Sequence, residues 1–304
     1  MSRSRRFTLI AAALFLTVGV RAADTNPALQ YGQGPNGANG GNSNTAAFTP
    51  LPQKVQEDLG DIRPAEQAPW TSYFHGEAAV NGQYVSNAPL YHSHDKGDFL
   101  IAPMLQGGFD VPLDKHFSLN LDSRIEDFTY ASHQTLGFWG FSGDTLLEYR
   151  YKPDAPRIYA GMSPYYYWSY ATGDRLTSAI GPVAGIDQSY SINRGKTLLY
   201  AGYEFGQYYS SPGIDSRQSH TVTLSVTQQL RRDYYAQVYW QLQYSDYWQF
   251  SRDETRDVIG VSVIHQFNPH TFASIFVNYV DNASNNTLAK YTTVNSGVSL
   301  VLQF

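Results

Sequence analysis

The run Tyr91-His92-Ser93-His94-Asp95 places a hydroxyl, two imidazoles and a carboxylate side by side. A serine hydrolase uses those groups, with a His taking the Ser proton and an acid orienting the His. The same groups could hold a metal weakly. Neighbours in one loop seldom reach triad geometry, so no catalytic residue, metal ligand or cofactor site is assigned. A larger set of charges recurs at alternate positions: Glu77, Asp122, Arg124, Glu126, Asp144, Glu148, Arg150, Arg157, Asp187 and Glu204. If these share one enclosed face, two readings follow. They line a wet path that prefers cations, or they pair and fill the space. A buried charge must find a partner. Arg124 with Asp122 or Glu126, and Arg150 or Arg157 with Glu148, are natural neighbours. A third set, Tyr159, Tyr165, Tyr167, Tyr235, Gln237, Tyr239, Gln241 and Gln243, offers rings and amides without charge. It suits sugar hydroxyls, and it equally suits a wet core.

Composition narrows the elements that can position these groups. Charged residues are 15% of the 304, yet the mean hydropathy is −0.37. Tyr (24), Gly (25) and uncharged polar residues take the place of charge, which excludes a disordered charged chain and a nucleic-acid binder. There is no Cys, so disulfides and thiolate chemistry are excluded.

The N-terminus carries Arg3, Arg5 and Arg6, then an apolar stretch from Phe7 to Val20, then Val20 and Ala22 before a cleavage point. Residues 1–22 are therefore expected to be a secretory signal peptide. Residues 23–70 are rich in Gly, Asn and Pro and bury little, so a flexible periplasmic linker is expected, free to meet a periplasmic partner.

From residue 71 the pattern has period two. Phe117, Leu119, Leu121 and Ile125 fall on one face; Ser118, Asn120, Asp122, Arg124 and Glu126 fall on the other. Such alternation marks a strand with one apolar and one wet face. It recurs to predict twelve strands, near 72–85, 98–111, 116–127, 135–151, 157–170, 178–190, 197–209, 218–230, 234–247, 256–267, 271–281 and 291–304. Short and long connections alternate along the chain, as in outer-membrane barrels. Aromatic residues collect at strand ends, as rings that prefer headgroup depth would. They are Trp70, Tyr73, Phe74, Phe109, Phe117, Tyr149, Tyr151, Tyr190, Tyr234, Phe267 and Phe304 at the periplasmic end, with Tyr84, Phe99, Trp168, Tyr170, Tyr209, Tyr244, Tyr247, Tyr279 and Tyr291 at the outer one. Backbone groups in hydrocarbon need partners, so the sheet must close. Pro103, Pro164 and Pro182 interrupt it, each removing a ladder donor and marking a bulge or a break.

The last residues, Ser296-Gly297-Val298-Ser299-Leu300-Val301-Leu302-Gln303-Phe304, resemble the C-terminal signal read by the barrel assembly machinery. Together with Arg252-Asp253-Glu254 through Asn285, this tail resembles the last strands of Gram-negative β-barrel porins and of the barrel half of surface lipoprotein assembly modifiers. The resemblance covers about 50 residues. It implies outer-membrane lipids and, through Phe304, that machinery as partners. The helical repeats that precede modifier barrels are absent, which counts against that role. The expected fold is all-β: a closed antiparallel transmembrane barrel of about twelve strands behind a flexible tail, exported to the outer membrane. The expected function is a porin-like passage for small polar solutes, saccharides included. The alternatives are a lipid- or lipopolysaccharide-cleaving enzyme using the first outer loop, and a filled structural or assembly barrel.

Overall fold

The computed structural model describes residues 74–88, 96–152, 155–193, 196–248, 251–268 and 270–304. The proposed signal peptide, the linker and the Tyr91–Asp95 run lie outside the described residues. The alternating pattern becomes twelve strands: β1 Phe74–Val85, β2 Asp98–Pro112, β3 Phe117–Tyr130, β4 Phe138–Tyr149, β5 Arg157–Ser169, β6 Arg175–Ile192, β7 Thr197–Ser211, β8 Arg217–Arg231, β9 Tyr234–Tyr247, β10 Arg252–Asn268, β11 Thr271–Ser284 and β12 Tyr291–Gln303. Each strand pairs antiparallel with the next, and β1 pairs with β12, so the sheet is a closed barrel. The closing seam runs from Glu77 opposite Gln303 to Val85 opposite Asn295. Gly76 and Phe304 extend it by exchanging two backbone hydrogen bonds of 2.7 and 2.9 Å. Both ends of the described barrel therefore lie on one side, here the terminal end. The described connecting residues 86–88, 96–97, 131–137, 170–174, 212–216, 248, 251 and 285–290 form the far end.

The pattern's two faces are the barrel's two faces. Val80, Ile101, Leu105, Ile125, Ile259, Val261, Val263, Ile275, Val298 and Leu300 are exposed on the outside. Glu77, Gln83, Gln106, Arg124, Thr223, Gln241, Arg256, Asn278 and Ser299 are buried on the inside. An exposed apolar exterior around a buried polar interior is the inverse of a water-soluble sandwich. Rings pack at both rims. Phe74 meets Phe109 and Phe304, and Phe117 meets Tyr149, at the terminal end. Trp139 stacks on Trp168 at 4.3 Å, Tyr84 meets Phe99 and Tyr209 meets Trp248 at the far end.

The three prolines break the ladder on one side only. Pairing of β2 with β3 is interrupted between Ile101 and Met104, β4 with β5 between Ser142 and Thr145, and β6 with β7 between Ile180 and Val183. On their other sides Pro103 stays opposite Val80, and Pro164 and Pro182 stay paired between β5 and β6. Each missing N–H therefore leaves a gap without slipping the register, so these positions are breaks and not bulges. At Gly181, in the last of these gaps, a side chain would run into the Gln207 carbonyl, so only glycine fits.

Several boundaries differ from expectation, most of them at the far end. Gln134–Leu136 is a short 3-10 turn and not the start of β4. β6 begins at Arg175 and β10 at Arg252, three and four residues earlier than the pattern suggested. Tyr247 and Tyr291 are buried inside the barrel, not part of the outer girdle. Polar and charged residues at a strand's far end read as loop, yet here they continue the inward face.

The lipid-facing assignment has a direct consequence. Val261 lies outward near the middle of β10 and is half-exposed. Val261→Arg should destabilise the barrel by about 2–4 kcal/mol, the cost of a cation at the bilayer midplane. The inward change Thr223→Ser should stay within about 1 kcal/mol, as a lumen change that keeps the hydroxyl. Denaturant unfolding in lipid vesicles measures both, and equal effects would contradict the assignment.

Candidate functional site

The barrel interior brings together groups that sequence alone could only place on one face. At the terminal end, Arg157 at the start of β5 reaches both neighbouring strands. Its Nε donates to Asp187 Oδ2 at 2.6 Å, and its Nη1 donates to Glu148 Oε1 at 2.8 Å. The expected Arg157–Glu148 pair therefore exists, with Asp187 completing it. One residue pair along, the Tyr159 hydroxyl donates to Glu204 Oε2 at 2.9 Å. Across β1–β3, His75 sits between two carboxylates, with Nε2 2.7 Å from Asp122 Oδ1 and Nδ1 3.4 Å from Asp110 Oδ2. Asn120 holds the other Asp110 oxygen at 2.8 Å. Asp122 therefore pairs with His75. Arg124 takes the second partner expected for it: its Nη2 is 3.2 Å from Glu126 Oε2, and the Tyr167 hydroxyl donates to Glu126 Oε1 at 3.3 Å. Gln303 donates to Glu77 at 3.2 Å across the closing seam.

Arg150 is a correction. It lies beyond the end of β4, exposed, with its backbone N–H bonded to the His116 carbonyl. The strand stops at Tyr149, so the alternation that put Arg150 inside no longer applies.

The tyrosines and glutamines split into two environments. Tyr165 and Tyr167 pack against each other, and against Tyr208 and Phe138 respectively, in a buried cluster with Phe128, Tyr130, Leu100 and Val183. That cluster fills the β1–β7 wall and is weighted to the far end. Tyr239, Gln241 and Gln243 lie inward on β9 in the opposite wall. Gln237 donates to Thr227 at 3.2 Å and Gln243 to Ser245 at 2.8 Å. A second apolar cluster, with Leu198, Tyr235, Ile264, Phe272 and Val301, occupies the terminal part of that wall.

The far end of the β8–β10 wall holds inward charges absent from the expected set, and all but Arg256 lie outside the expected strands. Arg217, Arg252, Glu254 and Arg256 are buried inward, in phase with Thr221 on β8 and with Val258 and Ser262 on β10. Arg217 lies over the Tyr208 ring at 5.0 Å, and Arg252 over Tyr247 at 3.7 Å. Arg252 Nε is 3.3 Å from Glu254 Oε1, and its Nη2 is 4.0 Å from Asp215 Oδ1. Asp215 belongs to the 3-10 turn Gly213–Asp215 that caps this wall. Burial pushes its carboxyl up to about 6, against the opposing pull of Arg252.

The inward charges are distributed unevenly along the wall. The terminal end is acidic: Glu77, Asp110, Asp122, Asp144, Glu148 and Asp187 stand against Arg157 and His75. The far end gathers Arg217, Arg252 and Arg256 with Glu254, Asp215 and Asp98. Among the described residues no group of His, Asp and Glu has the geometry to hold a metal ion.

No protein-family model and no curated protein matches the sequence. Solved structures do match. The COG4313 outer membrane channel from Pseudomonas putida F1 superposes with a TM-score of 0.53 at 10% identity, over 80% of this chain and 100% of that one. The chain has the fold of an outer-membrane β-barrel. The NanC porin (TM-score 0.46, 11% identity, 74% of this chain and 98% of that one) is a more distant match. So is the translocator domain of the autotransporter NalP from Neisseria meningitidis (0.45, 11%, 83% and 93%).

Two tests address these contacts. Arg157→Gln strands two buried carboxylates and should cost about 3–5 kcal/mol. Adding Asp187→Asn should recover at least about 1 kcal/mol in a double-mutant cycle of unfolding free energies. For Asp215, the folded-state value lies above the ordinary one near 4. The folded state therefore holds the extra proton, and its stabilising effect is full below about 4 and lost as pH rises through about 6. The difference in thermal midpoint between wild type and Asp215→Asn should change across that window and be flat above pH 7. A difference that does not vary with pH would contradict the assignment.

Proposed function

We propose that the barrel is a narrow passage for small polar solutes across the outer membrane. The observation that carries this reading is the state of the inward polar groups. Asn81 Oδ1, both amide atoms of Gln83, Gln106 Oε1, Thr223 Oγ1, Ser262 Oγ, Ser274 Oγ and Ser299 Oγ are buried and find no partner within the protein. They come from β1, β2, β8, β10, β11 and β12. An orphaned buried polar group costs about 1–3 kcal/mol. A permanently dry filler would be expected to pair or replace such groups. Water or a polar solute moving between the walls satisfies them. The buried state of the inward side chains supports a tight path rather than a wide aqueous channel of the sixteen-stranded kind. The excess of inward carboxylates supports a cation preference for small ions. Sugars and charged solutes both fall within this reading.

Conductance of the full-length protein in planar bilayers tests it. The expected result is small, steady unitary currents whose reversal potential in a salt gradient favours the cation. Replacing Glu148 and Asp187 together by their amides should weaken that preference. A folded barrel that carries no current would overturn the passage reading and favour the filled structural barrel.

A further inference from the structure

The short connections of the terminal end share a charge that the barrel wall does not. Lys115 lies between β2 and β3, Arg150 and Lys152 between β4 and β5, Lys196 between β6 and β7, and Arg231 and Arg232 at the corner of β8 and β9. All six residues are exposed. None forms an ion pair with a described residue. The acids of these turns are fewer. Asp114 Oδ1 accepts the backbone N–H groups of His116 and Phe117 at 2.6 and 2.9 Å, and Asp233 is exposed. Arg194 and Asp154, which the sequence also puts in these turns, offset each other. The inward carboxylates nearby are already held, Glu148 and Asp187 by Arg157, and Asp110 and Asp122 by His75. The terminal rim therefore carries a net positive ring.

Large apolar residues stand beside these cations and are exposed with them. Leu113, Tyr151, Ile192 and Leu230 lie in or next to the same four connections. Tyr151 stacks on His116 at 5.7 Å, which joins the first of these connections to the second. At a bilayer interface such residues sit in the apolar boundary while cations on long stems reach the headgroups. The outside of the far end has the opposite charge. Asp246 faces Asp253 across β9 and β10, and Asp257 faces Asp281 across β10 and β11, all four at outward positions. Carboxylates so placed repel an anionic surface.

We infer that the terminal rim is a binding surface for anionic phospholipid headgroups in the leaflet that it meets. The cations occupy four of the five terminal connections and so span the barrel from β2 to β9. A leaflet meets all of these turns at once, whereas a docked protein would meet only neighbouring ones. Lys and Arg take a phosphate as exposed, flexible donors, so no shaped cavity is required. The attraction sums over several charges close to the membrane surface and falls with salt. The inference goes beyond the passage reading and does not depend on it.

Electron spin resonance of spin-labelled lipids tests it, with the full-length protein in phosphatidylcholine vesicles. The spectrum separates lipid held at the barrel from bulk lipid. Labelled phosphatidylglycerol should be held about three-fold or more in preference to labelled phosphatidylcholine at low salt, and nearly equally at about 1 M salt. Lys115→Gln, Arg150→Gln, Lys152→Gln, Lys196→Gln, Arg231→Gln and Arg232→Gln together should abolish the preference. Arg150→Lys, Arg231→Lys and Arg232→Lys together keep the charge and should preserve it. Lys96→Gln, Arg175→Gln and Lys290→Gln, at exposed far-end positions, should also preserve it. Heat-modifiable migration on gels confirms that each variant is folded. No preference in the folded wild type, or one that survives the six neutralisations, would overturn the inference. So would its loss in the charge-keeping or the far-end variant. A wild type without lipid preference that sediments with peptidoglycan, and loses that in the neutralised variant, would assign the ring to the cell wall instead. No current is read, so this test and the conductance test fail separately.

Discussion

Every feature of this barrel depends on one constraint: a backbone N–H or C=O in hydrocarbon must find its partner inside the protein. A sheet with a free edge cannot meet that condition, so β1 must pair with β12. Closure in turn separates the two faces of every strand. One row of side chains meets lipid, and the other is enclosed whatever its polarity. The sequence could then keep acids, arginines and amides on the enclosed row while the outer row stayed apolar between two aromatic rims. The prolines show how strict the constraint is. Each costs one ladder contact on one side, yet none shifts the register by a residue. A one-residue slip would turn every later inward charge toward lipid.

Within the enclosed space, chemistry is distributed diagonally. Aromatic packing weighted to the far end of β1–β7 lies across from the arginine-rich wall of β8–β10. A second apolar cluster at the terminal end joins Leu198, Tyr235, Ile264, Phe272 and Val301 to Ala79 and Met104 across the closing seam. Where charges do pair, they pair along or between nearby strands, as Arg157 does with Glu148 and Asp187. The result is a tight interior with its excess of carboxylates at the terminal end.

Much of this was legible before any coordinates. Period-two alternation carries the fold because strand geometry allows only two faces, and the twelve strands follow from it. The Arg124–Glu126 and Arg157–Glu148 pairs were legible for the same reason, as inward residues at neighbouring positions. What escaped lies at strand ends. Arg217, Arg252 and Glu254 are charged residues near turns, and a charge near a turn reads as solvent-exposed loop. Their phase with Val258 and Ser262 was the available signal, since a strand extended by four residues keeps the same parity. His75 and Asp110 lie inside the expected first and second strands, yet they were absent from the expected inward set. Arg150 is the opposite error, a residue in phase with the pattern but one step past the point where the strand ends. Which inward groups pair, and with which partner, as Arg252 does with Glu254, depends on rotamers and neighbours from three strands. No linear pattern encodes that.

The central claim is that the strands separate a lipid face from an enclosed polar face around a closed wall. The chain has no native cysteine, so single-cysteine fluorophore scanning along β10 reports on that claim cleanly. Positions 258 to 264 would be labelled one at a time in the folded protein, reconstituted in vesicles and exposed to a lipid-confined quencher. The account predicts strong quenching at Ile259, Val261 and Val263 and weak quenching at Val258, Ser262 and Ile264. Uniform quenching, or the opposite alternation, would contradict the closed barrel with its polar interior, and the function argued from it would fall too.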